Sequence, residues 1–327
     1  MAHFRIMKSL KREEGAGRRA RIWIAYVTVS IVWGSTYLAM RIGVQEVPPF
    51  WMAGVRLLAA GVILLGIALY RRNRFPGTLK EWGWLALTGT LILGVAIGGM
   101  FWAVQYLDSG LAALLACFSP LLMALYGSIG ADGDRLDSSI VFGLLAGLVG
   151  IAVLLDPRWS IESASMPLIA VAVIIIGANA WSGGSVLSKR RLKNIPPLVS
   201  ASVHSLSGGL FLLGIDLLVR HDPLPPISGL AWASILYLVI FGSVIAYSAY
   251  IYLVTHLPPA KAGTFTFINP VVAVFLGWLI LDEPVTSRLM LGGVIIFAGL
   301  MLVRRSRTGQ KAPVPMSGPG QVEKPIL

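Results

Sequence analysis

Residues Trp33 to Leu65 read WGSTYLAMRIGVQEVPPFWMAGVRLLAAGVILL. Two apolar stretches flank a short polar hinge that holds Arg41, Glu46 and Pro48-Pro49. The second stretch contains one charged residue, Arg56. Moved 148 residues along the chain, the same landmarks recur: Trp33 falls on Trp181, Pro48-Pro49 on Pro196-Pro197, Gly61 on Gly209 and Gly66 on Gly214. The match continues with small changes of offset that fall in loops, where insertions are tolerated. Trp82 meets Trp232, Pro120 meets Pro270, Asp134 meets Glu283, Gly143 meets Gly292 and Gly150 meets Gly299. The chain reads as a duplicated unit.

Composition says where such a unit sits. Hydrophobic residues make up 56% of the 327 residues and charged residues 13%. Soluble domains carry about 25% charged residues, so this much apolar surface needs lipid around it. Apolar runs fall at 22–42, 50–70, 82–105, 111–130, 139–156, 167–188, 198–219, 232–253, 262–281 and 289–303. A crossing needs roughly 20 mostly apolar residues, and the loops between the runs leave no room for a separate soluble domain. The fold expected is an all-α integral membrane protein of ten transmembrane helices. Basic residues before the first run resemble a signal peptide, but the run is too long for one and lacks a small-x-small cleavage site. It reads as an uncleaved first helix. The single cysteine, Cys117, lies inside an apolar run, which fits a small buried residue and excludes an internal disulfide.

The net charge is +12. A basic chain can signal nucleic-acid binding, but here the charge obeys a topology. With the N-terminus in the cytoplasm, 22 of the 27 Lys and Arg residues lie in cytoplasmic tails and loops. Outside lie Arg41, Arg158, Arg220 and Arg288, and Arg56 is within a run. This is the positive-inside bias, with both termini cytoplasmic. Five is odd, so the second unit crosses in the opposite sense, and the loops agree. The first loop of unit one holds Arg41 and Glu46, whereas its counterpart holds Lys189, Arg190, Arg191 and Lys193. The expected plan is two inverted five-helix repeats, an arrangement typical of secondary transporters. Residues 1–21 form a basic cytoplasmic tail, 22–156 the first repeat, 166–303 the second and 304–327 a disordered cytoplasmic tail.

The stretch quoted above and the stretch INPVVAVFLGWLILDEPVTSRLMLGGVIIFAGLMLV (Ile268 to Val303) resemble the EamA family of the drug/metabolite transporter superfamily. The resemblance covers about residues 22–303. It implies ten helices in two inverted repeats around a central cavity, lined mainly by helices 1, 3, 4, 6, 8 and 9. It also implies transport of amino acids, metabolites or drugs, export more often than import. Trp181-Ser182-Gly183-Gly184-Ser185 departs from the opening motif, and Asp134 stands where glutamate is usual.

Several residues are candidates for the site. An arginine in a membrane helix is costly and is usually paired, snorkelling or functional. Arg56 therefore reads either as a structural cation or as the attractor of an anionic substrate group. His204, its counterpart in the second repeat, reads as a packing residue or as a proton-coupling group. No Asp or Glu lies mid-run. Trp33, Ser35 and Thr36 (first run), Trp102 (third), Trp181 and Ser185 (sixth), and Tyr247 and Tyr250 (eighth) supply aromatic and hydroxyl groups for a cavity. Ser119-Pro120 and Asn269-Pro270 occupy equivalent places in the fourth and ninth runs. Proline breaks a helix there, and broken helices near the midplane point to a transport site. A mostly apolar cavity with a few polar groups suits an amphipathic organic solute.

The function expected is a secondary transporter, an exporter of small organic solutes in the cytoplasmic (inner) membrane. The expected partners are a small-molecule substrate and the lipid bilayer, not nucleic acid; a homodimer is left open. No cofactor or metal is expected. Two alternatives remain: a membrane receptor or scaffold, and an intramembrane hydrolase using Ser185 and His204. Against the hydrolase, the sequence has no Gly-x-Ser-x-Gly and no His-Glu-x-x-His.

Overall fold

Ten helices follow one another through the chain, and there is no strand among the described residues. The structure, a computed structural model, describes residues 2–129, 138–155, 165–256, 265–266 and 268–305. The helices are α1 (Ala2–Gly43), α2 (Pro49–Tyr70), α3 (Leu79–Ala103), α4 (Ser109–Ser128) and α5 (Ser138–Leu154). After them come α6 (Ser165–Arg191), α7 (Pro197–Val219), α8 (Gly229–Leu253, running on to His256), α9 (Asn269–Leu281) and α10 (Ser287–Arg305). Asp134, Arg135, Asp156, Arg158, Lys261 and the tail from 306 lie outside the described residues.

Local signals set the boundaries. Pro49 and Pro197 stand at the first turns of α2 and α7, where a missing N–H costs nothing. Thr78 and Glu81 form a reciprocal capping box at α3, and Ser228 caps α8. Seven helices, α1 to α4 and α6 to α8, are long and apolar enough to span a bilayer. The other three are shorter. The ninth run is expected at 262–281; the described helix there is Asn269–Leu281, and Phe265 and Thr266 before it form a 3-10 turn. Around the outside, Val62, Phe142, Leu145, Leu217, Phe275, Trp278 and Val294 are exposed. An apolar girdle of that extent is at home in hydrocarbon, not in water.

Two helix pairs carry the most extensive packing: α2 against α7, and α5 against α10. Glycine makes both possible. A Cβ on Gly209 of α7 would sit 2.9 Å from the backbone N of Leu58 and 3.0 Å from the carbonyl oxygen of Gly54 on α2. A Cβ on Gly299 of α10 would sit 2.7 Å from the carbonyl oxygen of Gly143 on α5. Lipid gives little hydrophobic drive for helix association, so close backbone approach through small residues takes its place. The same helix α7 holds a contrasting glycine, Gly214, with nothing within 4 Å of its Cβ position.

This contrast makes a prediction. Gly209→Ala overpacks a backbone contact and lowers stability by about 1–3 kcal/mol. Gly214→Ala, the same chemical change one and a half turns later, is neutral or slightly stabilising. Thermal unfolding of the two variants in detergent, followed by size-exclusion chromatography, checks the pair.

Candidate functional site

A cavity lies at the centre of the bundle, and the space that the centre of a water molecule reaches in it is about 120 Å³. Its wall comes from α1, α3, α4, α6, α8 and α9, and also from α2 and α7. Irregular backbone surrounds it. α3 contains a π-helical segment at Thr90–Val95, and α8 contains one at Leu238–Ile245. These segments overlap under the 150-residue offset of that part of the duplication. Leu93 reaches the cavity from the first, Gly242 and Ser243 from the second. π-helical turns recur at functional sites. α4 breaks at Cys117 and Phe118, whose N–H groups reach back only three residues, to Leu114 and Leu115. Helix resumes at Ser119-Pro120.

The walls are built by hydrogen bonds from these irregular places. The indole N–H of Trp33 donates to the carbonyl of Gly242 at 3.0 Å. Thr36 donates to the carbonyl of Trp33 at 2.7 Å. The hydroxyl of Ser182 on α6 lies 2.8 Å from the carbonyl oxygen of Ser119, beside the break in α4. Asn269, with its amide nitrogen turned to the carbonyls, donates to Phe265 at 3.2 Å and to Ser30 at 2.9 Å. Trp33 is the hub of an aromatic cluster, with ring centroids 5.7 Å from Trp181, 5.1 Å from Tyr250 and 5.2 Å from Phe265.

Arg56 is the charged residue of the wall among the described residues. Its side chain is 5% exposed. Nε donates to the Ser243 hydroxyl at 2.8 Å, and the guanidinium lies 5.5 Å from the centroid of the Phe101 ring. Nη1 has no hydrogen-bond partner, and neither has Oγ of Ser205, which also lines the cavity.

Of the residues singled out in the sequence, Trp33, Thr36, Arg56, Ser119, Trp181, Tyr247 and Asn269 come together on the wall. Ser35, Trp102, Ser185, His204 and Tyr250 do not. Ser35 turns to Val32 and Tyr237, and Trp102 packs on Tyr106. Tyr250 sits behind the wall, against Trp33 and Trp181, with Ser185 3.5 Å from its hydroxyl. His204 is fully buried between Thr88 (3.0 Å to Nε2) and the Tyr247 hydroxyl (2.9 Å to Nδ1). Ser185 and His204 thus bond to different tyrosines. Sequence reasoning did not place Cys117 and Ser205 at the cavity: Cys117 lies in an apolar run, and Ser205 is one of several serines around His204.

Both ends of α4 are held by charged residues from the second half of the chain. Glu283, in the connection after α9, accepts from the Ser109 N–H at 2.9 Å and from the Ser109 hydroxyl at 2.6 Å. An anion there complements the positive end of the helix dipole. At the other end Arg190 donates to the carbonyl of Ile129 at 2.6 Å, which complements the negative end. Arg41 donates to the carbonyl of Val104, one turn before Asp108. Burial pushes the Asp108 carboxyl above the usual carboxylate range; the charge of Glu283 adds to this and Arg41 partly offsets it.

A carboxyl raised in the folded state holds its proton more tightly there than in the unfolded chain. Its stabilising contribution is full at low pH and is lost as pH rises through the folded value. Asp108 therefore contributes a fall in stability from acid toward neutral pH, and Asp108→Asn removes that contribution from the slope. Thermal unfolding of both proteins across the acid-to-neutral range reads the difference.

Comparison with known proteins agrees with this architecture. The model of the EamA-like transporter family matches twice, at residues 21–156 and 168–305. The chain is 34% identical over 283 residues to the "Uncharacterized inner membrane transporter YedA" of Escherichia coli (strain K12), covering 85% of this chain and 89% of that one. It is 29% identical to "Protein PecM" of Dickeya dadantii, over 84% of this chain and 89% of that one. A solved crystal structure with 21% sequence identity superposes with a TM-score of 0.62 over 86% of this chain and 96% of that chain, and shows a shared fold.

Proposed function

The chain belongs to the EamA-like transporter family and is a multi-pass membrane transporter; from that premise we propose that it moves small organic solutes through the central cavity by alternating access. The observation that carries the reading is the position of the cavity, between segments that are equivalent under the duplication. Trp33 and Trp181 touch across it, Ser119 and Asn269 both line it, and the two π-helical segments both open onto it. The strongest packing partners, α2 with α7 and α5 with α10, are also equivalent pairs. These relations support two inverted five-helix repeats, residues 22–156 and 166–303, related by an axis in the membrane plane. Carriers of that design hold substrate at the repeat interface and expose it to each side in turn.

The charge bias of the loops supports cytoplasmic termini, and the names of relatives support the inner membrane. Export is the direction that the family resemblance implies. His204, held between Thr88 and Tyr247, serves the position of Tyr247 on the wall; solute exchange without an obligatory proton is the simpler mechanism.

Reconstitution tests the proposal. In proteoliposomes, the wild type shows saturable counterflow of at least one solute from a panel of carboxylates, amino acids, purines and cationic dyes. Trp33→Ala, which strips the aromatic hub from the wall, lowers that exchange by about tenfold or more. Trp278→Ala, on the lipid-facing surface with 53% exposure, leaves it within about twofold. Absence of saturable exchange of any solute by folded protein overturns the transport reading.

A further inference from the structure

Arg56 and Ser205 leave two hydrogen-bonding groups buried on the cavity wall with no partner. Buried polar groups are almost always paired, and an unpaired one needs an explanation. For an arginine the requirement is sharper, because a buried cation without a counter-charge is expensive. Among the described residues Arg56 has no carboxylate partner. Asp216 is committed to Arg220 at 2.9 Å, and Glu283 to the start of α4. Nε of Arg56 is occupied by Ser243, and the Phe101 ring lies against the guanidinium. What remains is the terminal end of the guanidinium, a cationic donor at the wall of a cavity.

The rest of the wall restricts the solute further. The described lining residues include no Asp or Glu, so the cavity has one positive charge and no group to neutralise an ammonium. Aromatic faces hold cations in other settings, but here Arg56 opposes that. Trp33, Trp181, Phe265, Met40, Met100 and Ile174 make the remainder apolar or aromatic. At about 10–15 Å³ of such space per water, the cavity holds on the order of ten non-hydrogen atoms.

We propose that the cavity selects small monoanions with an apolar or aromatic body, such as arylalkanoic carboxylates, over zwitterions and amines of the same shape. The Arg56 guanidinium donates to the carboxylate, Ser205 supplies a second hydrogen bond, and the aromatic cluster takes the body. This rests on the transport reading above and narrows its substrate class.

The test is equilibrium binding to the purified full-length protein in nanodiscs, by calorimetry and by tryptophan fluorescence, for which Trp33 and Trp181 are reporters in the wall. Four probes share one skeleton: 3-phenylpropionate, 3-phenylpropanamide, phenylalanine and 3-phenylpropylamine. The acid binds at least about tenfold more tightly than the amide, as expected for a charge-assisted hydrogen bond. Phenylalanine binds more weakly than the acid, and the amine does not bind. Arg56→Gln brings the acid down to the amide while the amide's own affinity stays within about threefold. A variant that had merely lost its fold would lose both. Should Arg56→Gln not fold, the wild-type ratios alone decide. Amide, amino acid or amine binding as tightly as the acid overturns the proposal, as does an acid preference that survives Arg56→Gln. Binding of none of the four also overturns it. Counterflow with the wider panel then separates the two readings: exchange of another solute keeps the carrier and discards the monoanion class.

Discussion

Hydrocarbon offers no hydrogen bonds, so irregular backbone at membrane depth is tolerated only where protein or a water-filled cavity covers it. The irregular places in this chain obey that rule. The π-helical segments of α3 and α8, the break in α4 at Cys117 and Phe118, and the 3-10 turn before α9 all gather around one central space. Side chains donate to backbone carbonyls there. Trp33 serves Gly242, Ser182 serves Ser119, and Asn269 serves Phe265 and Ser30. The cavity is thus where the fold gathers its departures from regular helix and the polar side chains beside them.

The same scarcity of hydrogen bonds explains how the two halves hold together. Oily side chains gain little by leaving lipid for one another. The α2–α7 and α5–α10 pairs rely instead on glycines that bring backbones within van der Waals reach. At the polar ends, where water competes, charges take over: Glu283 and Arg190 clasp opposite ends of α4. Each clasp joins the first half of the chain to the second.

Much of this was legible in the residues. Ten apolar runs foretold the helices, because bilayer thickness leaves a direct mark. Arg56 stood out as a lone charge in a run, and it lies on the wall. Facing was harder to read. A soluble helix shows its buried side by contrast with a polar one, but lipid and an aromatic cavity both accept apolar residues. Tyr247 and Tyr250 therefore looked alike, yet one lines the cavity and the other backs it. His204 shares the register of Arg56 but points to Thr88 and Tyr247. Ser35, Trp102 and Ser185 were misplaced for the same reason. The π-helical segments had no marker at all, since no residue type enforces them.

Cys117 provides the most direct measurement of the central claim, that the cavity is a path reached alternately from both faces. It is the single thiol of the chain and lies on the cavity wall at the break in α4. In proteoliposomes of each orientation, a membrane-impermeant maleimide is added from one side and the rate of Cys117 alkylation is followed. The account predicts reaction from either face, slowed by a transported solute. Reaction from neither face, or from one face with no effect of any exchanged solute, would contradict it.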